Sequence, residues 1–312
     1  MKKYFNLTLI CLILALAYGI FINGKPQTIS STENAVFATL LPTSESFKIA
    51  VVGDFGDPQP SPAKNVADLI RVLEVDAIVT TGDNNYPNGS IDGFVSNTYP
   101  YYGQFIDSQA FFPTLGNHDW GYPDENSYSA ETLPSSQYFN YLPGNRRYYT
   151  TTFGNGLVQI FVLDTDRREP DGNTFDSAQG QWFQNEIIHS PAVYKLVFTH
   201  EPFFSSCGKK NSSVTPWPFK DLGITAVFSG HCHLYERLNV NGLTYIVNGA
   251  GGGGQIDQFT TITTESIIQY NEQRGAILIE ANQTSIKISF VTVSGLFVDQ
   301  FYIDAGAQQA HP

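Results

Sequence analysis

The chain has 312 residues, 42% hydrophobic and 14% aromatic, enough to build one large domain or two small ones with packed cores. Charged residues make up 15%, which argues against disorder over most of the length. A net charge of -12 excludes a general nucleic-acid binder or a ligand of anionic membranes, both of which call for a basic surface.

Along the chain, Lys2 and Lys3 precede an almost wholly apolar run over 7–22, the pattern of an export signal within residues 1–24. The expected location is extracytoplasmic, periplasmic or secreted. The run is slightly long for a signal, so membrane contact is expected only if the segment stays uncleaved as an anchor. Residues 25–46 are rich in Ser, Thr, Pro and Gln and read as a linker. The main domain then covers 47–312. Its first elements are a buried strand over 47–52, a helix over 62–75 with Val66, Leu69, Ile70 and Leu73 at helical spacing, and a second buried strand over 77–80. A strand over 157–163, a helix over 177–189, and strands over 194–198 and 226–228 follow. After Tyr245 the pattern alternates over 276–280, 285–293 and 296–303, as in antiparallel strands. The fold class is α/β, with two packed mixed sheets flanked by helices. Of the three cysteines, Cys11 lies in the export segment; Cys207 and Cys232 make no framework, and Cys232 is expected to be a packed thiol.

Five short blocks carry the chemistry. They are Gly53-Asp54-Phe55-Gly56, Gly82-Asp83-Asn84-Asn85-Tyr86, Gly116-Asn117-His118-Asp119, Val197-Phe198-Thr199-His200 and Gly230-His231-Cys232-His233. Each sits where a strand is expected to end, the place where α/β sheets gather side chains into one crevice. The chain has only 6 His, and four of them fall inside these blocks. Asp54 and Asp83 are hard oxygen donors, and a carboxylate can bridge two cations. His200, His231 and His233 are imidazole donors suited to iron, zinc and similar ions. Tyr86 discriminates: a phenol titrates near pH ~10, so it binds as phenolate beside a strong Lewis acid such as Fe³⁺. A trivalent and a divalent ion together outweigh Asp54, Asp83 and Tyr86, leaving charge for a hydroxide and a phosphate dianion. Two ions ~3.5–4 Å apart suit in-line displacement at phosphorus by a metal-bound hydroxide.

The blocks match DxG, GDxxY, GNH(D/E), VxxH and GHxH in order. The chain thus resembles the calcineurin-like metallophosphoesterase superfamily and, within it, the purple acid phosphatases in their small single-domain form, from about residue 47 to the C-terminus. The resemblance implies an acid phosphatase acting on phosphoric monoesters. It implies Fe³⁺ held by Asp54, Asp83, Tyr86 and His233, and a divalent ion (Fe²⁺, Zn²⁺ or Mn²⁺) held by Asp83, Asn117, His200 and His231. Asp83 would bridge. His118 would contact the substrate and protonate the leaving alkoxide, and Asp119 would orient His118. The expected partner is a small phosphorylated substrate, with no nucleic acid.

Taken singly, the blocks have plainer readings. Asp54 could cap a turn, Tyr86 could be core, and His231-x-His233 could lie on one face of an exposed strand. Their order excludes coincidence. A phosphodiesterase or nucleotidase would use the same metal centre, and a non-catalytic anion- or metal-binding module would be marked by a missing donor. Lys209 and Lys210 read as a solvated loop, and Glu236 and Arg237 as structural charges. No second His lies close downstream of His200, so the resemblance implies no substrate role for a His there.

Overall fold

The computed structural model describes residues 21–22, 25–26, 47–58, 61–121, 146–209 and 216–306. The chain divides into two units, Met1–Glu45 and Ser46–Pro312. In the first, Phe21–Ile22 and Lys25–Pro26 pair antiparallel. The rest of the expected export segment and linker lies outside the described residues, as do Lys210, His311 and residues 122–145. Among the described residues no helix is long and apolar enough to cross a membrane.

The second unit opens with β1 (Phe47–Val52), α1 (Ala63–Val72) and β2 (Ala77–Thr80). Helix α1 stops short of the expected 75; Glu74 takes a left-handed backbone at φ 51°. A helical stretch over 91–107 follows, ending in α2 (Tyr99–Asp107). Its Tyr-Pro-Tyr-Tyr-Gly sequence carries little helical signal. Tertiary packing holds it, with Tyr102 edge-on to Phe55 at 4.9 Å between ring centres. Next come β3 (Phe111–Phe112), β4 (Tyr149–Phe153), β5 (Val158–Val162), α3 (Ala178–Ile188), β6 (Tyr194–Phe198) and β7 (Ala226–Ser229). Ser177 caps α3, its side chain accepting from Gly180 N. The chain closes with β8 (Tyr235–Val240), β9 (Leu243–Asn248), β10 (Ser266–Tyr270), β11 (Gly275–Ala281), β12 (Ser285–Thr292) and β13 (Phe297–Asp304).

Two mixed sheets result, as the α/β reading expects. One runs β10-β8-β9-β7-β6-β5-β4 and the other β13-β12-β11-β1-β2-β3. In the first, β9, β7, β6 and β5 are parallel; in the second, β1, β2 and β3 are. Between the sheets lies a core of β-branched and aromatic residues including Val51, Val79, Ile160, Phe198, Phe228, Ile277 and Phe290. Phe198 stacks on Phe228 at 4.9 Å, and Tyr235 of one sheet stacks on Phe290 of the other at 4.2 Å. Val66 and Ile70 of α1 with Tyr102 and Phe105 of α2 cover Ala50, Val52 and Ile78 on one outer face. Phe183 and Ile187 of α3, with Trp217 and Phe219, cover Phe161, Val197 and Val227 on the other. Being buried on both faces, the parallel strands read as continuous apolar runs.

The consequence for the site is topological. Chain leaving β1, β2, β6 and β7 reaches Asp54, Asp83, His200 and His231 within two or three residues. Both sheets therefore deliver side chains to one crevice at the carboxyl ends of their parallel strands.

Candidate metal centre

Two groups of donors meet there. In the first, the Tyr86 hydroxyl lies 3.3 Å from Asp54 Oδ1, 3.0 Å from Asp83 Oδ2 and 3.2 Å from His233 Nε2. His233 Nε2 is also 3.3 Å from Asp54 Oδ1. In the second, Asn117 Oδ1 lies 3.0 Å from His200 Nε2 and 3.1 Å from His231 Nδ1, and those two nitrogens are 3.3 Å apart. Asp83 Oδ2 is 3.3 Å from His200 Nε2, so the carboxylate that touches Tyr86 also touches the second group. One donor atom each from Asp83, His200 and His231 falls within 4.8 Å of the others.

The hydrogen bonds behind these atoms test whether a cation fits. His200 Nδ1 lies 2.8 Å from the Thr81 carbonyl, which can only accept, so Nδ1 carries a proton and Nε2 of the neutral ring is a bare lone pair. That lone pair faces Asn117 Oδ1 and Asp83 Oδ2, which are acceptors too. His233 repeats the pattern, with Nδ1 against the Gln255 carbonyl at 2.9 Å and Nε2 facing Tyr86 and Asp54. Tyr86 has one proton for three acceptors. Acceptors converging on so few protons fit a pair of cations.

In the metal-free site burial disfavours charged rings, but Asp83 raises His200 and Asp54 raises His233, so a cation binding there displaces protons. Burial, then the Asp83 and Asp54 carboxylates, push the Tyr86 phenol well above its ordinary value near 10, so a phenolate here needs a strong cation beside it. Burial, then His200, lowers His231 to about 4 and keeps it an imidazole donor at neutral pH. Burial opposes ionisation of Asp83, but the neighbouring His200 prevails and the carboxyl is lowered.

Backbone geometry is specialised as well. Asp54, Asp83 and His231 all have left-handed backbones, with φ of 58°, 51° and 66°. Three such non-glycine residues at one site mark strain held in place by surrounding structure. His231 and His233 therefore do not alternate along an extended strand, as the sequence suggests; the strand begins only at Tyr235. Asp54 Oδ2 accepts from His231 N at 3.0 Å and fixes this turn. A Cβ on Gly230 would stand 2.6 Å from Asp54 Oδ2, so only glycine admits that approach.

His118 sits at the rim. Its backbone N–H donates to Asp83 Oδ1 at 2.8 Å, and its Nδ1 lies 2.6 Å from the Pro87 carbonyl. Nδ1 is thus the donor, and Nε2 lies 4.0 Å from Asp83 Oδ2. The expected orienting role of Asp119 is not what this geometry shows. Asp119 is fully buried and accepts from Gly116 N (2.9 Å), Asn84 Nδ2 (2.9 Å) and Asn84 N (3.2 Å). It clips the Asn117 loop to the Asp83 loop, and the Pro87 carbonyl holds the imidazole. Burial, then Asp83, raises Asp119 to about 7.

Two further supports were not read from sequence. Arg168 pairs with Asp166 at 2.8 Å and donates to the carbonyls of Trp120 (2.8 Å) and Asn117 (3.3 Å). Asp164 accepts from Trp120 Nε1 at 2.9 Å and from Asp166 N at 2.9 Å. Carbonyl partners carry no side-chain signature, although the charge run after β5 was a signal. Glu236 and Arg237 are structural, as expected. Glu236 is buried and accepts from Ser205 Oγ (3.0 Å) and Ser206 N (2.8 Å); Arg237 pairs with Asp299 at 2.6 Å. Cys232 is not a packed thiol: it is bridged to Cys207, with Cα atoms 6.3 Å apart. The loop after His200 folds back over 25 residues, a pairing that spacing alone does not reveal.

Asp164 gives a pH prediction. Burial, then Glu169 and Asp166, raises its carboxyl well above the ordinary value. The unfolded chain therefore releases this proton first. Stability that Asp164 contributes at low pH is lost as pH rises from about 4, the unfolded value, toward the higher folded one. Urea unfolding of metal-free protein across this range should show the decline, flattened in Asp164→Asn. An equal decline in the variant would exclude Asp164 as its source.

Comparison with known proteins shows the family. A family model of calcineurin-like phosphoesterases matches residues 47–235. Human tartrate-resistant acid phosphatase type 5 is 26% identical over 257 residues, covering 69% of this chain and 77% of its own. Purple acid phosphatase 7 of Arabidopsis thaliana is 22% identical over 335 residues, covering 95% of each. Among solved structures, purple acid phosphatase PPD1 of yellow lupin is similar at a TM-score of 0.64 and 19% identity, over 84% of this chain; the match spans about half of the lupin chain, 54%. GAP50, the anchor in the inner membrane complex of Plasmodium, is similar at a TM-score of 0.63 and 17% identity, over 83% of this chain and 89% of its own. These structural likenesses show the fold. Together with the family match over 47–235, they place the chain in the calcineurin-like phosphoesterase family, as a metal-dependent phosphoester hydrolase.

Proposed function

We propose that the chain is an exported phosphatase that hydrolyses small phosphoric monoesters at a two-ion centre. The observation that carries this reading is the position of Asp83, within 3.3 Å of donors in both groups, with His118 at the rim. Fe³⁺ would be held by Asp54, Asp83, Tyr86 and His233, and a divalent ion by Asp83, Asn117, His200 and His231. When bound, the ions supply the Lewis acidity that activates a water and neutralises charge on the phosphoryl oxygens. Asp83 fixes the spacing of the two groups. Thr81 and Gln255 hold His200 and His233 in the tautomers that present Nε2. His118 binds a phosphoryl oxygen and passes the proton on Nε2 to the departing alkoxide, while its Nδ1–H stays on the Pro87 carbonyl.

Export is supported by the N-terminal pattern and by the Cys207–Cys232 bridge, which suits an oxidising compartment. Purified protein assayed on matched aryl phosphate monoesters and diesters tests the substrate class. A monoester preference in kcat/KM that disappears with chelation is expected, and a strong diester preference would overturn it.

A further inference from the structure

The loop after His200 is fastened to the histidine block at several points. Cys207 is bridged to Cys232, the residue between His231 and His233. Lys209, two residues beyond Cys207, donates its N–H to Cys207 Sγ at 3.4 Å. Its ammonium lies 2.8 Å from Asp257 Oδ2, the same oxygen that accepts from His233 N at 2.9 Å. Upstream, buried Glu236 holds Ser205 and Ser206. The Lys209 ammonium is therefore stationed beside the backbone of a proposed metal donor, while 45% of its side chain stays open to solvent.

Two other cations near these donors, Arg168 and Arg274, are far less exposed than Lys209. Arg168 is paired with Asp166, and Arg274 is buried with Nη2 on the Gly254 carbonyl at 2.6 Å. With a net charge of -12, the surface as a whole repels a phosphate dianion, and an exposed cation beside the donors adds to the attraction that bound metal ions would supply. The bridge holds the segment that carries this lysine against the histidine block.

We propose that Lys209, held in place by the Cys207–Cys232 bridge, is a substrate-binding residue whose ammonium exchanges its contact with Asp257 for a non-bridging oxygen of the phosphoryl group. The phosphoryl substrate rests on the phosphatase reading above; the placement of the cation does not. Asp257 keeps its bond to His233 N, so the metal donors do not move when Lys209 does.

The test is inorganic phosphate binding to metal-replete protein by calorimetry, with the visible spectrum and metal content recorded for each variant. Lys209→Met is expected to weaken phosphate binding about five- to tenfold, and Lys209→Arg to restore it to within about twofold. Cys207→Ser with Cys232→Ser is expected to match Lys209→Met, because the freed loop no longer presents the ammonium. Spectrum and metal content should stay as in the parent. Unchanged phosphate affinity in Lys209→Met overturns the proposal. So does a shifted spectrum or lost metal in that variant, which would mean that Lys209 acts through Asp257 and His233. Unchanged affinity in the double-serine protein overturns the role of the bridge. If that protein does not fold, the two Lys209 variants still decide on the cation. A parent protein that binds phosphate but hydrolyses no ester overturns the phosphatase reading alone, and the same affinity series then judges Lys209.

Discussion

Asp83→Asn is expected to abolish turnover of an aryl phosphate, by on the order of a thousandfold or more, beyond the ~10–100-fold typical of groups that only support metal donors. Asp83 is where three demands meet. Oδ2 lies 3.0 Å from Tyr86 and 3.3 Å from His200, joining the two donor groups, and Oδ1 accepts from His118 N at 2.8 Å. An amide is neutral and offers one oxygen, so it can neither bridge two cations nor keep both contacts. The side chain is buried, and the left-handed backbone at φ 51° suits Asn as well as Asp. The chain should therefore still fold and the loss should be chemical. Elemental analysis should show depletion of both metals. Retained activity with full metal content would show that Asp83 is not shared.

The second large effect belongs to His118→Ala, and its size should depend on the leaving group. With Nδ1 held by the Pro87 carbonyl, only Nε2 can deliver a proton. An alkyl phosphate leaves as a strongly basic alkoxide and should lose about 10²–10⁴-fold in kcat. An activated aryl phosphate leaves without needing a proton and should lose far less. A series of esters would report this as a steeper dependence of kcat on leaving-group basicity in the variant. Equal losses across the series would remove His118 from proton transfer and leave it a binding contact only.

The candidate donors that meet in the crevice were legible because metal chemistry depends on residue type and because the blocks resemble a known family in their order. Asp54, Asp83, Tyr86, Asn117, His200, His231 and His233 could be picked out by identity and order, and the buried strands that carry four of them are continuous apolar runs. What holds those donors was not legible. Thr81, Pro87 and Gln255 act through backbone carbonyls, which any residue could supply. The resemblance assigned Asp119 to His118, yet its oxygens face Gly116 and Asn84, because a tight loop turns neighbouring side chains apart. The left-handed turn at His231 is imposed by Asp54, which is 177 residues away. By contrast, the β8–β9 hairpin was readable and missed: Asn241-Gly242, with φ of 53° and 87°, is a common hairpin signal.

The most direct measurement is the visible absorption spectrum of purified, metal-analysed protein beside that of Tyr86→Phe. The Tyr86 hydroxyl sits within 3.3 Å of Asp54, Asp83 and His233, a donor group that only a highly charged cation would turn into a phenolate site. The expected result is a coloured protein holding iron and a second metal, whose visible band is lost in Tyr86→Phe while the fold is kept. A colourless, metal-replete protein whose spectrum does not change in Tyr86→Phe would contradict a trivalent ion at this centre.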